Sequence, residues 1–186
     1  MKNAGLIGAS LVVSYTFFIA AADGLTKKLT TLVAAPQMYA ISGAVMVGLC
    51  ITTAYGTSKW QSLRTTCKFA MALRSAATIS AALLFFQSFR LLPFADVFIF
   101  IGMMPLLAGL MAAPVLGERV SPASWAAVSL GLIGAWCLFP AGLDSATAGH
   151  ALAMLAALAG TFSIVLSRYI SRHGNNSLAQ VFYPNL

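Results

Sequence analysis

Six long stretches of this chain carry no Asp, Glu, Lys or Arg: Leu6 to Ala22, Ala35 to Ser58, Ser75 to Phe89, Val97 to Gly117, Val120 to Leu143 and Ser145 to Ser167. A helix rises about 1.5 Å per residue, so roughly 20 apolar residues cross the ~30 Å hydrocarbon core of a bilayer. Several of the stretches exceed that length. Only 8% of the 186 residues are charged and 60% are hydrophobic, with a mean hydropathy of +0.88. A soluble domain needs about 25% charged residues to wet its surface. The implied solvent is lipid, and the fold class is an all-α integral membrane protein of about six transmembrane helices.

The spans read as Gly5 to Ala22, Pro36 to Gly56, Phe69 to Phe89, Pro93 to Leu116, Pro122 to Phe139 and Gly149 to Tyr169. Pro93 suits a first helical turn, where a missing amide costs nothing. Ser121-Pro122 offers a capping hydroxyl followed by such a proline. Pro140-Ala-Gly142 stops the fifth helix, and His173-Gly-Asn-Asn176 reads as a loop.

The formal charge of +7 does not imply nucleic acid, because the charges cluster on no soluble face but sit at the ends of apolar runs. With the N-terminus inside, the cytoplasmic connections and helix ends collect Lys2, Lys59, Arg64, Lys68, Arg74, Arg119, Arg168 and Arg172. The other side keeps Lys27, Lys28 and Arg90. Eight cations against three favour a cytoplasmic N-terminus, and the expected localisation is a cell (inner) membrane, as a multi-pass protein. A competing reading takes Lys2, the apolar run and Ala20-Ala21-Ala22 as a cleavable signal peptide, which would leave five spans. Cys50, Cys67 and Cys137 have neither metal-ligand nor disulfide spacing.

The first and sixth helices match at an offset of 145 residues: Thr16, Phe17 and Ile19 fall on Thr161, Phe162 and Ile164, Lys27 and Lys28 on Arg172 and His173, and Ala34 on Ala179. A repeat of five spans enters the membrane the second time from the opposite side, as in inverted-repeat carriers. From Arg74 to Pro140 the motifs run Arg74, Phe85-Phe86-Gln-Ser-Phe89, Leu92-Pro93-Phe94-Ala95-Asp96, Pro105, Leu116-Gly117-Glu118-Arg119, Trp125, Gly131, Gly134 and Pro140. In this order the chain resembles the drug/metabolite transporter superfamily, EamA-like transporter family, with Asp23-Gly-Leu-Thr-Lys27 matching the end of that family's first helix. The resemblance implies ten helices in two inverted five-helix repeats that export or exchange metabolites. It divides this chain into a first repeat over 4–140 and a truncated start of a second over 146–186. Ser42 stands where the resemblance leads one to expect an arginine in the second helix.

Candidate translocation residues follow from their depth. Asp96 lies about a turn inside the fourth helix, where an unpaired carboxylate costs a few kcal/mol. Gln87 and Arg90 are hydrogen-bonding candidates for it, and the rival role is a simple helix-dipole partner. Arg74 stands about sixteen residues before the turn, roughly 24 Å away, so it cannot reach Asp96. It serves either as an anion contact or as a snorkelling anchor. Pro105 frees the carbonyl of Ile101 and kinks its helix, as a hinge or cavity wall, with Gly102 and Gly109 as an alternative close-approach surface. Glu118 and Arg119 read as a hairpin staple or cytoplasmic gate. Asp23 and Lys27 have the spacing of an exposed pair. Ala127, Gly131 and Ala135 form a small-residue stripe for helix packing.

No nucleotide loop, metal cluster or catalytic triad appears, which argues against an enzyme, a cofactor or a metal. The expected function is secondary transport of a small-molecule substrate by alternating access, with the lipid bilayer and a second copy or the missing C-terminal half as partners. The alternative is a non-transporting remnant or regulatory half-transporter. Four further apolar spans encoded in frame would favour the carrier. The topology is testable in a cysteine-free background. A membrane-impermeant maleimide is expected to label Asp144→Cys in intact cells and to spare Ser58→Cys; the reverse pattern inverts the topology.

Overall fold

The computed structural model describes residues 2–56, 60–117, 121–137, 147–174 and 177–186. Among these residues seven helices follow one another: α1 (Lys2–Leu29), α2 (Ala35–Gly56), α3 (Lys68–Leu91), α4 (Phe94–Leu116), α5 (Pro122–Cys137), α6 (Ala148–His173) and the short α7 (Ser177–Phe182). Short 3-10 turns occupy Trp60–Leu63 and Tyr183–Asn185, and no strand occurs among the described residues. Four of the helices, α2, α3, α4 and α6, are long and apolar enough to cross a bilayer. The first and fifth spans expected from sequence, on α1 and α5, are not among those four.

Helix α1 outruns its expected end at Ala22 by about two turns. Lys27 and Lys28 fall in its last turn, where cations complement the negative helix end. The hydroxyls of Thr30 and Thr31 donate to the carbonyls of Lys27 and Lys28 at 2.8 and 3.0 Å, taking up acceptors that the helix end would otherwise strand. Between α3 and α4 the chain turns sharply. The Leu92 amide donates to the Ser88 carbonyl, and Pro93 follows in an extended conformation. Helix α4 stops at Gly117, whose φ of 66° is the left-handed conformation that glycine adopts without strain.

The packed centre is α6 lying along α3 and α4. Its inner face is built of small side chains: Ala153, Ala156, Ala157 and Thr161 are fully buried. A Cβ on Gly160 would sit 2.9 Å from the Met104 methyl of α4 and 3.6 Å from the Ala81 methyl of α3. Lipid offers apolar helices no hydrophobic incentive to associate, so close backbone approach through small residues supplies the contact. The hydroxyls of Thr78 and Ser163 hydrogen-bond across the seam at 2.6 Å. Phe89, Leu92, Val97, Phe100 and Met103 fill the space between the facing helices. The small-residue stripe of α5 is used at Gly131, where a Cβ would overlap Leu106 of α4.

Elsewhere large apolar side chains point outward: Phe17 and Phe18 are each 70% exposed, and Leu130 is 69% exposed. Leaving side chains of this size in water forfeits about 1.5–3 kcal/mol apiece, so the outer face suits lipid. Overpacking the α6 seam should therefore hurt where enlarging or trimming the outer face does not. Ala157→Leu is expected to destabilise the detergent-solubilised protein by about 1–3 kcal/mol, read as a lowered melting temperature. Leu130→Ala should change stability by no more than about 0.5 kcal/mol.

Candidate functional site

The polar side chains gather at the two ends of the bundle, one marked by Asp96 and the other by Arg74. At the Asp96 end, α3 finishes while α4 and α6 begin. The Asp96 carboxylate lies 3.8 Å from the His150 ring of α6. Asp96 is 38% exposed and His150 13%. His150 is held by its own helix start: its Nδ1 accepts from the Thr147 amide at 3.1 Å and meets the Thr147 hydroxyl at 2.9 Å, in a capping-box arrangement. That bond aims Nε2 at Asp96. The Phe100 ring stands edge-on to the imidazole at 6.2 Å. Among the described residues, then, the partner of Asp96 is His150 rather than Gln87 or Arg90. Gln87 lies on the exposed face of α3. His150 reads from sequence as a loop-edge residue without a partner, although its place three residues after Thr147 is a capping-box spacing.

Lys27 is the second surprise at this end. Its ammonium donates to the Phe89 carbonyl and, at 2.6 Å, to the Leu92 carbonyl. A side chain from α1 thus closes the C-terminal end of α3, in place of the local pair with Asp23 expected from spacing. The physical reason is demand: the last carbonyls of a helix have no partner of their own, and a charge-assisted donor there outweighs a screened surface ion pair.

At the opposite end Arg74 does reach a partner, but one far along the chain. Its guanidinium donates to the Gln180 carbonyl of α7, and its Nε is buried with no hydrogen-bond partner. Gln180 is itself buried; its side chain takes the Ser167 hydroxyl and donates to the Ser171 hydroxyl at 2.9 Å. Neither of the two roles weighed for Arg74 describes this. It is a partly buried clamp that docks α7 against α3 and α6. As the helical rise required, Arg74 and Asp96 stay apart. Arg172 donates to the Leu116 carbonyl at 3.1 Å, closing the end of α4.

Pro105 lies inside α4, with Pro114 a second proline further along. The Pro105 ring is exposed, while Ile101, whose carbonyl it frees, packs against the core. A Cβ at Gly102 or Gly109 would meet nothing within 4 Å, so close helix approach is not what these glycines serve. Glu118 and Arg119 lie outside the described residues, as does Asp144.

A cavity of about 620 Å³ opens between α2 and α3, closed on one side by Pro184, Asn185 and Leu186. Its polar lining consists of Tyr39, Ser42, Thr78 and Asn185, with no charged side chain. The Tyr39 hydroxyl donates to the Ala82 carbonyl at 2.9 Å and so bridges the two helices across the cavity. Ser42, the position where an arginine was expected, is part of this wall. Gly43 makes room for the Asn185 carbonyl, which would stand 2.9 Å from a Cβ there. Among the described residues no three His, Cys, Asp or Glu side chains come together to hold a metal. No family model, curated protein or solved structure matches the chain.

If Arg74 clamps α7, its loss should free that segment without unfolding the bundle. In Arg74→Met, amide hydrogen exchange over residues 177–182 is expected to rise at least about tenfold, the worth of one charge-assisted hydrogen bond. Exchange in α6 between Ala153 and Val165 should stay as in the parent protein.

Proposed function

We propose that the chain crosses an inner membrane six times with its N-terminus inside and forms part of a secondary carrier of small metabolites. In this reading it belongs with the EamA-like transporters of the drug/metabolite superfamily. Residues 4–140 are one five-helix repeat, and residues 146–186 are the start of an inverted second one. The observation that carries the reading is a matched pair of contacts. Lys27, from the end of α1, closes the end of α3, and Arg172, from the end of α6, closes the end of α4. These two cations stand 145 residues apart, the offset at which the first and sixth helices align. Each closes the end of a neighbouring helix, at opposite ends of the bundle, in keeping with two related helices that enter the membrane from opposite sides.

The cavity between α2 and α3 supplies a site of suitable kind. Its hydroxyl and amide lining suits a small polar solute held by hydrogen bonds, and α4 beside α6, with Pro105 and Pro114 inside it, offers an element able to bend as access alternates. Asp96 links α4 to α6 across the joint between the repeats, so it couples the moving parts rather than contacting the solute. The reading is tested by counterflow in proteoliposomes holding the complete two-repeat carrier that the reading requires, with a panel of radiolabelled metabolites. Saturable exchange of at least one solute is expected. Asp96→Asn should lower its initial rate at least about tenfold, while Asp23→Asn, on α1 away from the joint, should lower it less than about threefold. Equal rates for the two variants at equal expression would remove Asp96 from the mechanism, and no saturable exchange with any solute would remove the carrier.

A further inference from the structure

A second hollow, of about 560 Å³, opens at the Arg74 end between the start of α3 and Tyr183, with Arg64 and Lys68 in its lining. Its α3 wall continues into the first cavity. Lys68, Met71 and Ser75 line the second hollow, and Thr78 and Ala82 line the first. Alternate steps of three and four residues keep all five on one face of the helix. From Lys68 to Ala82 that face runs roughly 21 Å. The two hollows are therefore successive lengths of one groove along α3. What stands between them is the 3-10 turn Tyr183–Asn185. Tyr183 lines the second hollow, while Pro184 and Asn185, next in the chain, line the first. The turn is a stiff wedge, because Pro184 fixes its own φ and stands early in the turn, where a missing amide costs nothing. It presses so closely on α2 that a Cβ on Gly43 would stand 2.9 Å from the Asn185 carbonyl oxygen.

The wedge is fastened on one side. Upstream of it, Gln180 is buried and bonded to Arg74, Ser167 and Ser171. Among the described residues the turn itself makes one side-chain hydrogen bond, from the Asn185 amide to the Val181 carbonyl at 2.8 Å, within its own segment. A part anchored at one end and held in its slot by packing can swing out without breaking a side-chain hydrogen bond to either wall. We propose that the Tyr183–Asn185 turn is a gate on one solute route along α3, closed in this structure and opened when the turn moves away from Gly43. Open, it joins the hollow at the Lys68 end to the cavity that Tyr39 bridges. That the route carries a solute rests on the transport reading, whereas the test reads access of water and can fail on its own.

A cysteine-free full chain in nanodiscs, carrying either Ala72→Cys in the second hollow or Ala82→Cys in the first cavity, is treated with a charged methanethiosulfonate. The reagent needs a thiolate, hence a thiol that water reaches. Ala72→Cys is expected to label quickly, and Ala82→Cys at least about tenfold more slowly. Adding Gly43→Ala, whose Cβ drives the wedge out, should speed labelling of Ala82→Cys at least about tenfold. Gly48→Ala on the same helix, where a Cβ meets nothing within 4 Å, should change that rate less than about twofold. Arg74→Met loosens the anchor without touching α2, so it should speed labelling as well, and it carries the test if Gly43→Ala fails to fold. A parent in which Ala82→Cys labels as fast as Ala72→Cys overturns the gate, as does an Ala72→Cys that resists the reagent. So does a rate for Ala82→Cys that neither Gly43→Ala nor Arg74→Met raises. Equal acceleration by Gly48→Ala overturns it too, since general loosening of α2 would then account for the access.

Discussion

The close approach of α6 to α3 and α4 is the contact on which the bundle depends. In lipid the apolar surface gains nothing by leaving its solvent, so helices stay together through dispersion contacts at short range and through a few hydrogen bonds. Ala153, Ala156, Ala157 and Gly160 let the backbones come near enough for the first, and the Thr78–Ser163 bond supplies the second. Larger residues on α6 would hold the helices apart and break that hydroxyl pair. The partners complement this. Phe89, Phe100 and Met103 occupy the volume that small residues leave, so the seam is close-packed without being uniformly small.

The same solvent dictates what happens at helix ends. A free carbonyl near hydrocarbon cannot turn to bulk water, and each unmet one costs several kcal/mol. Three long side chains answer this across helices: Lys27 at the end of α3, Arg172 at the end of α4, and Arg74 on the Gln180 carbonyl. In a soluble protein such cations would sit in water and contribute little. Here each one fixes which helix end lies beside which, and so sets the order of the bundle as firmly as the apolar seam does.

This division explains what could be read from the sequence. The existence and approximate limits of the long helices follow from uncharged runs and prolines, because lipid imposes a length that any spanning segment must meet. The separation of Arg74 from Asp96 follows from helical rise alone. Partner choice does not follow. His150, Gln180 and Lys27 find their mates 54, 106 and 62 residues away, and one-dimensional spacing carries no signal for contacts that packing decides. Local rules pointed to the wrong partner for Lys27, since an i, i+4 neighbour competes poorly with two stranded carbonyls. For His150 a local rule was present, the capping box with Thr147, and it fixes the ring orientation that the distant carboxylate then uses. Ser42 shows the converse limit. Its departure from the expected arginine was plain in sequence, but only the structure places it on a cavity wall whose other polar groups are also uncharged.

The two bundle ends differ in charge as well as in contacts. Both acidic side chains among the described residues, Asp23 and Asp96, belong to the end where α1 and α3 finish, and there they accompany Lys27, Lys28 and Arg90. The other end gathers Arg64, Lys68, Arg74, Arg168 and Arg172 with no described carboxylate among them. A bundle polarised in this way has a preferred direction in any membrane with an anionic cytoplasmic leaflet, each cation near that surface being worth about 1 kcal/mol. The orientation inferred from counting charges on alternate loops and the cationic lining, Arg64 and Lys68, of the hollow at the start of α3 are therefore two consequences of one distribution. In a bilayer with one anionic leaflet, the same charge that would bias insertion would also lie beside the headgroups once the helices had crossed.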